Sequence, residues 1–546
     1  MEQFTEDEKK LIQPFFSNLD KDVFALINMD EVIKGTLFSR YSRTHKSARR
    51  LLLDEFITDK DIRAILEGII QSKGPETYLN KEKAEDFYHR VLVGYGDDSV
   101  AELAGAHIAC ENISSLAADQ LTDSRIGLSY LEKSGRYLVM DKKVDGKFLW
   151  YRDPKLMGSK FADLYSETMD SIFETYSKWI PTIMSYLKNT VPREGDQTER
   201  AYENTIRSKA CDVLKNMLPA SRLTNLGLFG NGRAYEYLLT KLYSSELPEV
   251  GGIANSLHEE LSKVIPAFVK RSQLSKYIVE TREGMKSFVL HDYWTFFIKI
   301  KADEFVRRNI ENEGEPQIKL IDYDQDGELK VLSAMLYPYS NLPLVELRNI
   351  VSNMPLEKRT GVINEYLSKR RNRRDKPGRA LENANYTFEI CASYGAFRDI
   401  HRHRILTLEK QRLTTDLGFD VPPELDQINL SKDYRDLMEN VSFVFKKVEE
   451  EMPIEAQYLV PRAFHMRWYV KMNLREVYHL TELRSSPQGH PDYRKLAQNM
   501  KTIIQKVHPS LVENMQVDMK DYSLARLESE KKIDRKLAEI KQRTVN

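Results

Sequence analysis

The run Tyr386-Thr387-Phe388-Glu389-Ile390, continuing through Phe397-Arg398-Asp399-Ile400-His401 to Arg402-His403-Arg404, decides how this chain is read. The stretch from Ala384 to Ile400 is apolar and long enough for a buried helix, and two guanidiniums and an imidazole follow it directly. Cations delivered from a buried element need anionic partners, and guanidinium forks suit phosphate oxygens and planar carbonyl–imide edges. A bare Arg-His-Arg tripeptide is usually a surface salt-bridge patch. Its setting is what makes this one a candidate anion or cofactor site. A weaker copy of the run lies near residues 99–137, where the Arg-His part is missing but Glu132-Lys133-Ser134-Gly135-Arg136-Tyr137 keeps a Glu-x-Ser-x-Arg-Tyr tail. Two copies, each lacking what the other keeps, point to a duplicated chain whose halves share one site.

Other landmarks recur in the same order, which bears on the fold before any single motif does. Asn231-Gly232-Arg233-Ala234 follows Leu218-Pro219 at the same spacing at which Asn473-Leu474-Arg475-Glu476 follows Val460-Pro461. Glu102 and Glu382 each precede an apolar segment that runs into one of the arginine-bearing loops, and Arg40-Tyr41-Ser42 has an echo in Pro338-Tyr339-Ser340. The boundary falls near residue 300, giving a first repeat over 1–300 and a second over 301–546 that includes a Lys/Glu-rich terminal helix.

Apolar positions at three- and four-residue spacing predict helices over 5–34, 45–71, 79–92, 158–188, 198–217, 231–244 and 253–272. The same spacing predicts them over 344–368, 431–450, 455–483 and 491–543. Strand signals are few: Lys286-Ser287-Phe288-Val289-Leu290 and Gln317-Ile318-Lys319-Leu320-Ile321. The expected class is α+β and helix-rich.

Composition narrows the function. The 82 basic and 82 acidic residues of this 546-residue chain cancel, so no global field draws in nucleic acid or an anionic membrane. No apolar run reaches the length of a membrane span, and the acidic start Met-Glu-Gln-Phe-Thr-Glu-Asp-Glu is no secretory signal. Cys110, Cys211 and Cys391 are too scattered for a disulfide framework or a metal pair, which fits a reducing cytoplasm. No metal site is expected.

Asp322-Tyr323-Asp324-Gln325-Asp326-Gly327 imitates a calcium loop, but the twelfth position is Ser333 rather than a bidentate carboxylate, so a turn between two strands is expected. Gly94-Tyr95-Gly96 and Gly230-Asn231-Gly232 lack the third glycine of a dinucleotide fingerprint. The basic run Lys369-Arg370-Arg371-Asn372-Arg373-Arg374 has no interleaved aromatics, so a solvated loop is favoured over a nucleic-acid surface. Ser134, Gly135 and Arg136 could cradle a phosphate, against a plain polar loop beginning a hairpin.

Together these residues resemble the flavin-dependent thymidylate synthases. Their pattern is an apolar helix, Gln-x-x-Arg-His-Arg, Asn-Glu-x-Ser-x-Arg-Tyr, and a later helix opening with Asn-x-Arg and ending on an essential arginine. The resemblance covers roughly residues 35–245 and 317–500. It implies two tandem copies of that fold, FAD as cofactor, dUMP as nucleotide substrate, and NADPH and methylenetetrahydrofolate as co-substrates. Members are homotetramers with shared sites, so a homodimer of this chain would mimic the tetramer.

Residue by residue, the resemblance makes Arg402, His403 and Arg404 the group that holds flavin and nucleotide, with Glu382, Asn473 and Arg475 at the flavin. Arg484 would contact dUMP. In the first half Gln120 matches the motif glutamine, Glu132, Ser134, Gly135 and Arg136 match the loop receiving the nucleotide, and Ser99, Glu102, Asn231 and Arg233 match flavin-side positions. Arg402, Arg484 and Ser134 would be the catalytic set. The departures are complementary. The first half has Asp123-Ser124 in place of Arg-His and Leu242 in place of the late arginine. The second has Lys410, Arg412 and Thr414 in place of Glu, Ser and Arg, and Asp399 in place of the glutamine. One composite site, drawing on both halves, would be live and its reciprocal dead. The activity implied is reductive methylation of dUMP to dTMP. Two alternatives stay open: a flavin–nucleotide paralogue acting on another substrate, for which Asp399 is the reason, and a non-catalytic nucleotide- or RNA-binding protein.

Overall fold

His465–Asn473 reads His-Met-Arg-Trp-Tyr-Val-Lys-Met-Asn, and Met466, Trp468, Val470 and Met472 are all buried while the residues between them face outward. That two-residue period is the signature of a strand with one covered face. In the computed structural model, which describes residues 3–291 and 317–545 except 30, 43, 59–100, 137, 194, 196, 523 and 525–526, the segment is the second of two central strands in a four-stranded sheet. The helix expected over 79–92, Gly94-Tyr95-Gly96, Ser99 and the boundary near residue 300 lie outside the described residues.

The chain forms two units. One comprises residues 1–113, 120–132 and 224–291, the other 114–119, 133–223 and 292–546. The first holds a three-stranded sheet of β1 (Gly105–Ser114), β2 (Leu128–Glu132) and β3 (Leu223–Asn231) in the order β1-β3-β2, and β2 pairs antiparallel with β3. Its N-terminal segment buries Ile12, Phe15, Phe16, Leu37, Leu52 and Phe56 in a separate small core, entered through a Thr5–Glu8 capping box.

The second unit holds β4 (Gln317–Tyr323), β5 (Asn385–Ser393), β6 (Leu406–Lys410) and β7 (His465–Asn473), all antiparallel in the order β4-β5-β7-β6. Four of its helices position the candidate site: α1 (Glu199–Leu214), α2 (Tyr394–Ile400), α3 (Leu474–Arg484) and α4 (Pro491–Val507). Helix α2 lies on the sheet through Phe397, whose ring meets Trp468 edge-on at 5.4 Å. A helix-rich α+β architecture is what the sequence predicted.

Several local expectations need correcting. Ala384–Ile400 is not one helix: strand β5 runs to Ser393 and only Tyr394–Ile400 is helical. Tyr386, Phe388, Ile390 and Ala392 alternate inward, so the strand period was present beneath an apolar composition that suits either element. The helix predicted over 455–483 is a short 3₁₀ turn, then β7, then α3. Conversely, Lys286–Leu290 is no strand but part of a helix, Lys276–His291, because so short an apolar run has no period of its own. The acidic turn after β4 leads into a helix beginning at Gly327, not into a second strand. The helix predicted over 491–543 is interrupted, with separate pieces at Pro491–Val507, Pro509–Val512 and Leu527–Val545.

The two sheets share internal detail. The order β1-β3-β2 matches β5-β7-β6. Ser114 Oγ accepts from Ala117 N at 2.9 Å, as Ser393 Oγ accepts from Ala396 N at 3.3 Å. Asn231 and Asn473 each cap the helix that follows the central strand, and Arg233–Glu102 and Arg475–Glu382 are ion pairs of 2.7 and 2.6 Å.

Within the second unit, Asp119 anchors α2. It accepts from Arg398 Nε at 2.8 Å and from the Tyr394 hydroxyl, and both charged side chains are almost fully buried. Burial alone would raise the Asp119 carboxyl, but Arg398, His401 and Lys410 overcome that and hold it below its ordinary value. Removing one partner of such a pair strands the other charge in the interior. We therefore expect Asp119→Ala to lose about 3–5 kcal/mol in urea denaturation, with Asp119→Asn intermediate because it keeps an acceptor for the tyrosine.

Candidate functional site

Helix α1 and the 3₁₀ turn that follows it bring Asp212, Lys215 and Asn216 together, one turn apart on one face. Asp212 takes a two-point bond from Arg136, with Nε and one Nη each 2.6 Å from a carboxylate oxygen. The other Nη of Arg136 donates to the Gln488 carbonyl at 2.8 Å and to the Tyr493 hydroxyl at 3.2 Å. Behind it, Ser134 Oγ accepts from the Arg136 amide at 3.3 Å, and Ser208 donates to the Arg136 carbonyl at 3.1 Å. Gly135 is required by space: a Cβ there would sit 2.7 Å from Nη1 of the buried Arg222.

The second half of the sequence supplies the rest of this cluster, still within the second unit. Asp399 lies near the end of α2, and Arg484 is the last residue of α3. An Nη of Arg402 stands 3.3 Å from Asp399, and an Nη of Arg484 stands 3.5 Å from it. Burial would raise the Asp399 carboxyl, yet Arg484, Lys215, Arg402 and Arg136 together hold it down to about 2. Arg136 loses to burial but gains more from Asp212, so its affinity for the proton rises. The ring of Tyr493 lies under Arg484, 5.5 Å from its guanidinium carbon. Asp492 ties the halves together again: it accepts from Asn216 Nδ2 at 2.8 Å and from Ser393 Oγ at 3.2 Å, and His490 lies 3.3 Å away. Burial works to raise Asp492, but His490, Lys215 and Asn216 hold it well below the carboxylate range.

Lys215 differs from its neighbours. It is almost fully buried, and its Nζ makes no hydrogen bond or ion pair among the described residues. Burial, aided by the Arg136 charge, pulls the ammonium down to about 8 against the opposing pull of Asp399, Asp212 and Asp492. The cluster thus sets Arg136, Lys215, Arg402 and Arg484 against Asp212, Asp399 and Asp492. That balance leaves capacity for an anion such as a phosphate monoester.

The other predicted residues fall into separate places. In the second unit, His403 is buried against Glu476 at 2.8 Å and Arg484 at 3.0 Å. Arg404 is exposed. Asn473 spends its carbonyl capping α3, and Arg475 bonds Glu382 and the Pro377 carbonyl. In the first unit, Glu102 pairs with Arg233, Asn231 caps its helix, Gln120 accepts from Ser245 at 2.7 Å and Glu132 accepts from Thr224 at 3.1 Å.

His403, Glu476 and His479 place ligand-type atoms within 4.8 Å of one another. A metal ion there would have to displace the Glu476–His403 hydrogen bond and sit beside the Arg484 guanidinium, which disfavours it. Sequence reasoning missed Asp212, Lys215, Asn216, His490, Asp492 and Tyr493. The available signal was charge inside an otherwise apolar helix end, Asp212-x-x-Lys215-Asn216, immediately before the Leu218-Pro219 landmark.

A model of the thymidylate synthase complementing protein family matches residues 42–267 and 319–510. UPF0159 proteins of Chlamydia pneumoniae and Chlamydia muridarum are each 40% identical, covering 97% and 96% of this chain and 98% of their own. A UPF0159 protein of Thermoplasma acidophilum is 33% identical over 91% of this chain and 97% of its own. Among solved structures, a UMP/dUMP methylase PolB of Streptomyces cacaoi, bound with 5-Br dUMP, is 16% identical with a TM-score of 0.30, covering 37% of this chain and 95% of that one. The chain belongs to the thymidylate synthase complementing protein family.

An ammonium on a nearly buried residue, without an ion-pair partner among the described residues, is a stability cost. Because Lys215 falls from 10.5 to about 8 on folding, its charged form is penalised at every pH below 8, and the penalty vanishes above the unfolded value. Lys215→Met should therefore raise stability at pH 7 by on the order of 2 kcal/mol, a gain that shrinks as the pH approaches 10. Thermal melts of both proteins across that range check this.

Proposed function

We propose that this protein is a flavin-dependent, thymidylate-synthase-type enzyme that reductively methylates C5 of dUMP. The observation that carries this reading is the polar cluster around Asp399 and Tyr493. Arg402 and Arg484 from the second half of the sequence stand beside Asp399, and Arg136 from the first donates to the hydroxyl of Tyr493, whose ring lies under Arg484. The resemblance assigns those arginines to one nucleotide site, and the same side chains sit in one charge cluster. On this reading residues 1–300 and 301–546 are tandem repeats, which the matching strand order and paired Asn caps support. A homodimer would carry two such sites.

The roles follow from the chemistry of each group. Arg136, with Ser134 and Gly135 beside it, and Lys215 would receive the nucleotide phosphate and carbonyls. Arg402 and Arg484 would stabilise the negative charge that develops on the pyrimidine as C5 is alkylated. The donor set also fits a flavin: Arg404 is exposed, and Arg475 and Glu382 form a half-exposed pair at the start of α3. When bound, a flavin would supply hydride and methylene relay chemistry that no side chain here can provide.

A second reading rests on Asp399. A carboxylate held ionised at about 2 is an acceptor only, whereas the family's glutamine also donates. A base presenting donors to that edge would then be preferred over uracil. The basic run 369–374 gives an RNA-binding reading little support, because Arg370 is turned inward onto Glu482 at 2.6 Å.

The test is to load the purified protein with FAD, desalt it, and record the visible spectrum with and without dUMP. We expect a retained flavin band that shifts on adding dUMP, and dTMP formation with NADPH and methylenetetrahydrofolate. Arg484→Ala should lower kcat/KM about 100-fold. A retained band indifferent to dUMP favours the second reading, and loss of the flavin on desalting sinks both.

A further inference from the structure

Arg484 is held from behind by a hydrogen-bonded series whose directions are fixed. Its Nε can only donate, and it lies 3.0 Å from Nε2 of His403, so that nitrogen must be the acceptor and carries no proton. A neutral imidazole then carries its proton on Nδ1, which lies 2.8 Å from Glu476 Oε1 and donates to it. Burial, reinforced by the neighbouring Arg484, His479 and Arg402 charges, keeps His403 neutral by pushing it well below its ordinary value. Burial raises Glu476 to about 7 against a smaller opposing pull from Lys376, and whether or not its other oxygen is protonated, Oε1 remains an acceptor. Glu476 is itself fixed in the first turn of α3, where its amide donates to Asn473 Oδ1 at 2.9 Å.

We propose that Glu476 and His403 are positioning residues: the Glu476 carboxyl sets the His403 tautomer, and the acceptor nitrogen so created holds the Nε side of Arg484. The Nη side is thereby aimed at Asp399 and the nucleotide. This assignment rests on the reading of Arg484 as a nucleotide contact. It also changes the role that resemblance gives His403, because both ring nitrogens are engaged by the protein and a ligand can meet only the ring face. The same logic explains why a carboxylate stands at position 476, two residues before the buried Tyr478 and facing the core rather than water.

The experiment uses the full-length protein with ¹⁵N-labelled histidine, the His403 signal being assigned by its loss in His403→Asn. The expected spectrum shows a neutral ring protonated on Nδ1 across neutral pH. Glu476→Ala should abolish that single tautomer and weaken dUMP binding about tenfold by calorimetry, while Glu476→Gln, which keeps a carbonyl acceptor, should preserve both within about twofold. A wild-type ring protonated on Nε2 overturns the proposal. So does a Glu476→Ala protein that binds dUMP like wild type while Arg484→Ala does not. If Arg484→Ala itself binds dUMP normally, the nucleotide reading of Arg484 fails and the aiming role falls with it. The Nδ1 proton is read independently of both.

Discussion

Asp399 is the point on which the second unit's polar interior depends. It is a carboxylate beside Arg402 and Arg484, within the fields of Lys215 and Arg136. Without it, Arg402 and Arg484 would lose the carboxylate they share, in a region of low dielectric where like charges repel far more strongly than in water. With it, the guanidiniums converge from three directions: the loop after β2, the end of α2 and the end of α3. Two further carboxylates brace the surroundings of this group. Asp212 grips Arg136 in a fork, and Asp492 fastens the α1 turn to the start of β5's following helix through Asn216 and Ser393. Such networks specify geometry more than they stabilise, because desolvation offsets most of the Coulomb gain.

That geometry explains the sequence losses in each half on the proposed reading. In an assembly of identical subunits, every substitution enters every site. In a fused chain the halves vary independently, so one arginine set can be kept in one half and its loop in the other. Leu242 lies on the buried face of the helix Gly232–Tyr243 in the first unit, where Arg484 occupies the matching place at the end of α3. Asp123 has become a surface partner of Lys241 at 3.3 Å. Those first-half positions have turned into ordinary helix-packing and ion-pair residues.

The sequence made the site's arginines legible because guanidiniums following an apolar segment are conspicuous, and because the Asn-x-Arg and Glu-x-Ser-x-Arg spacings recur. It misread the elements that carry them. Tyr386–Ala392 and Met466–Met472 alternate strictly, but their partners at four-residue spacing are also apolar, and strands buried beneath a helix on one face blur into helical patterns. Two of the carboxylates were invisible for a different reason. Asp212 and Asp492 lie 280 positions apart and, unlike Asp399, belong to no motif; they acquire meaning only when the fold brings each beside a particular cation. Charge complementarity of this kind is a property of tertiary contact, and no local window contains it.

Lys215 brings the two levels together. An ammonium buried beside Arg136, with its proton affinity already reduced, is destabilising in the free protein, and on the proposed reading an entering anion would offset that cost. Stability and binding therefore pull in opposite directions at one atom. A scaffold selected for folding alone would place an apolar or neutral side chain at the end of α1, as Leu214 and Met217 on either side illustrate. A charge on a nearly buried residue with no carboxylate of its own among the described residues distinguishes this cluster from a structural salt-bridge network, in which every buried cation is paired.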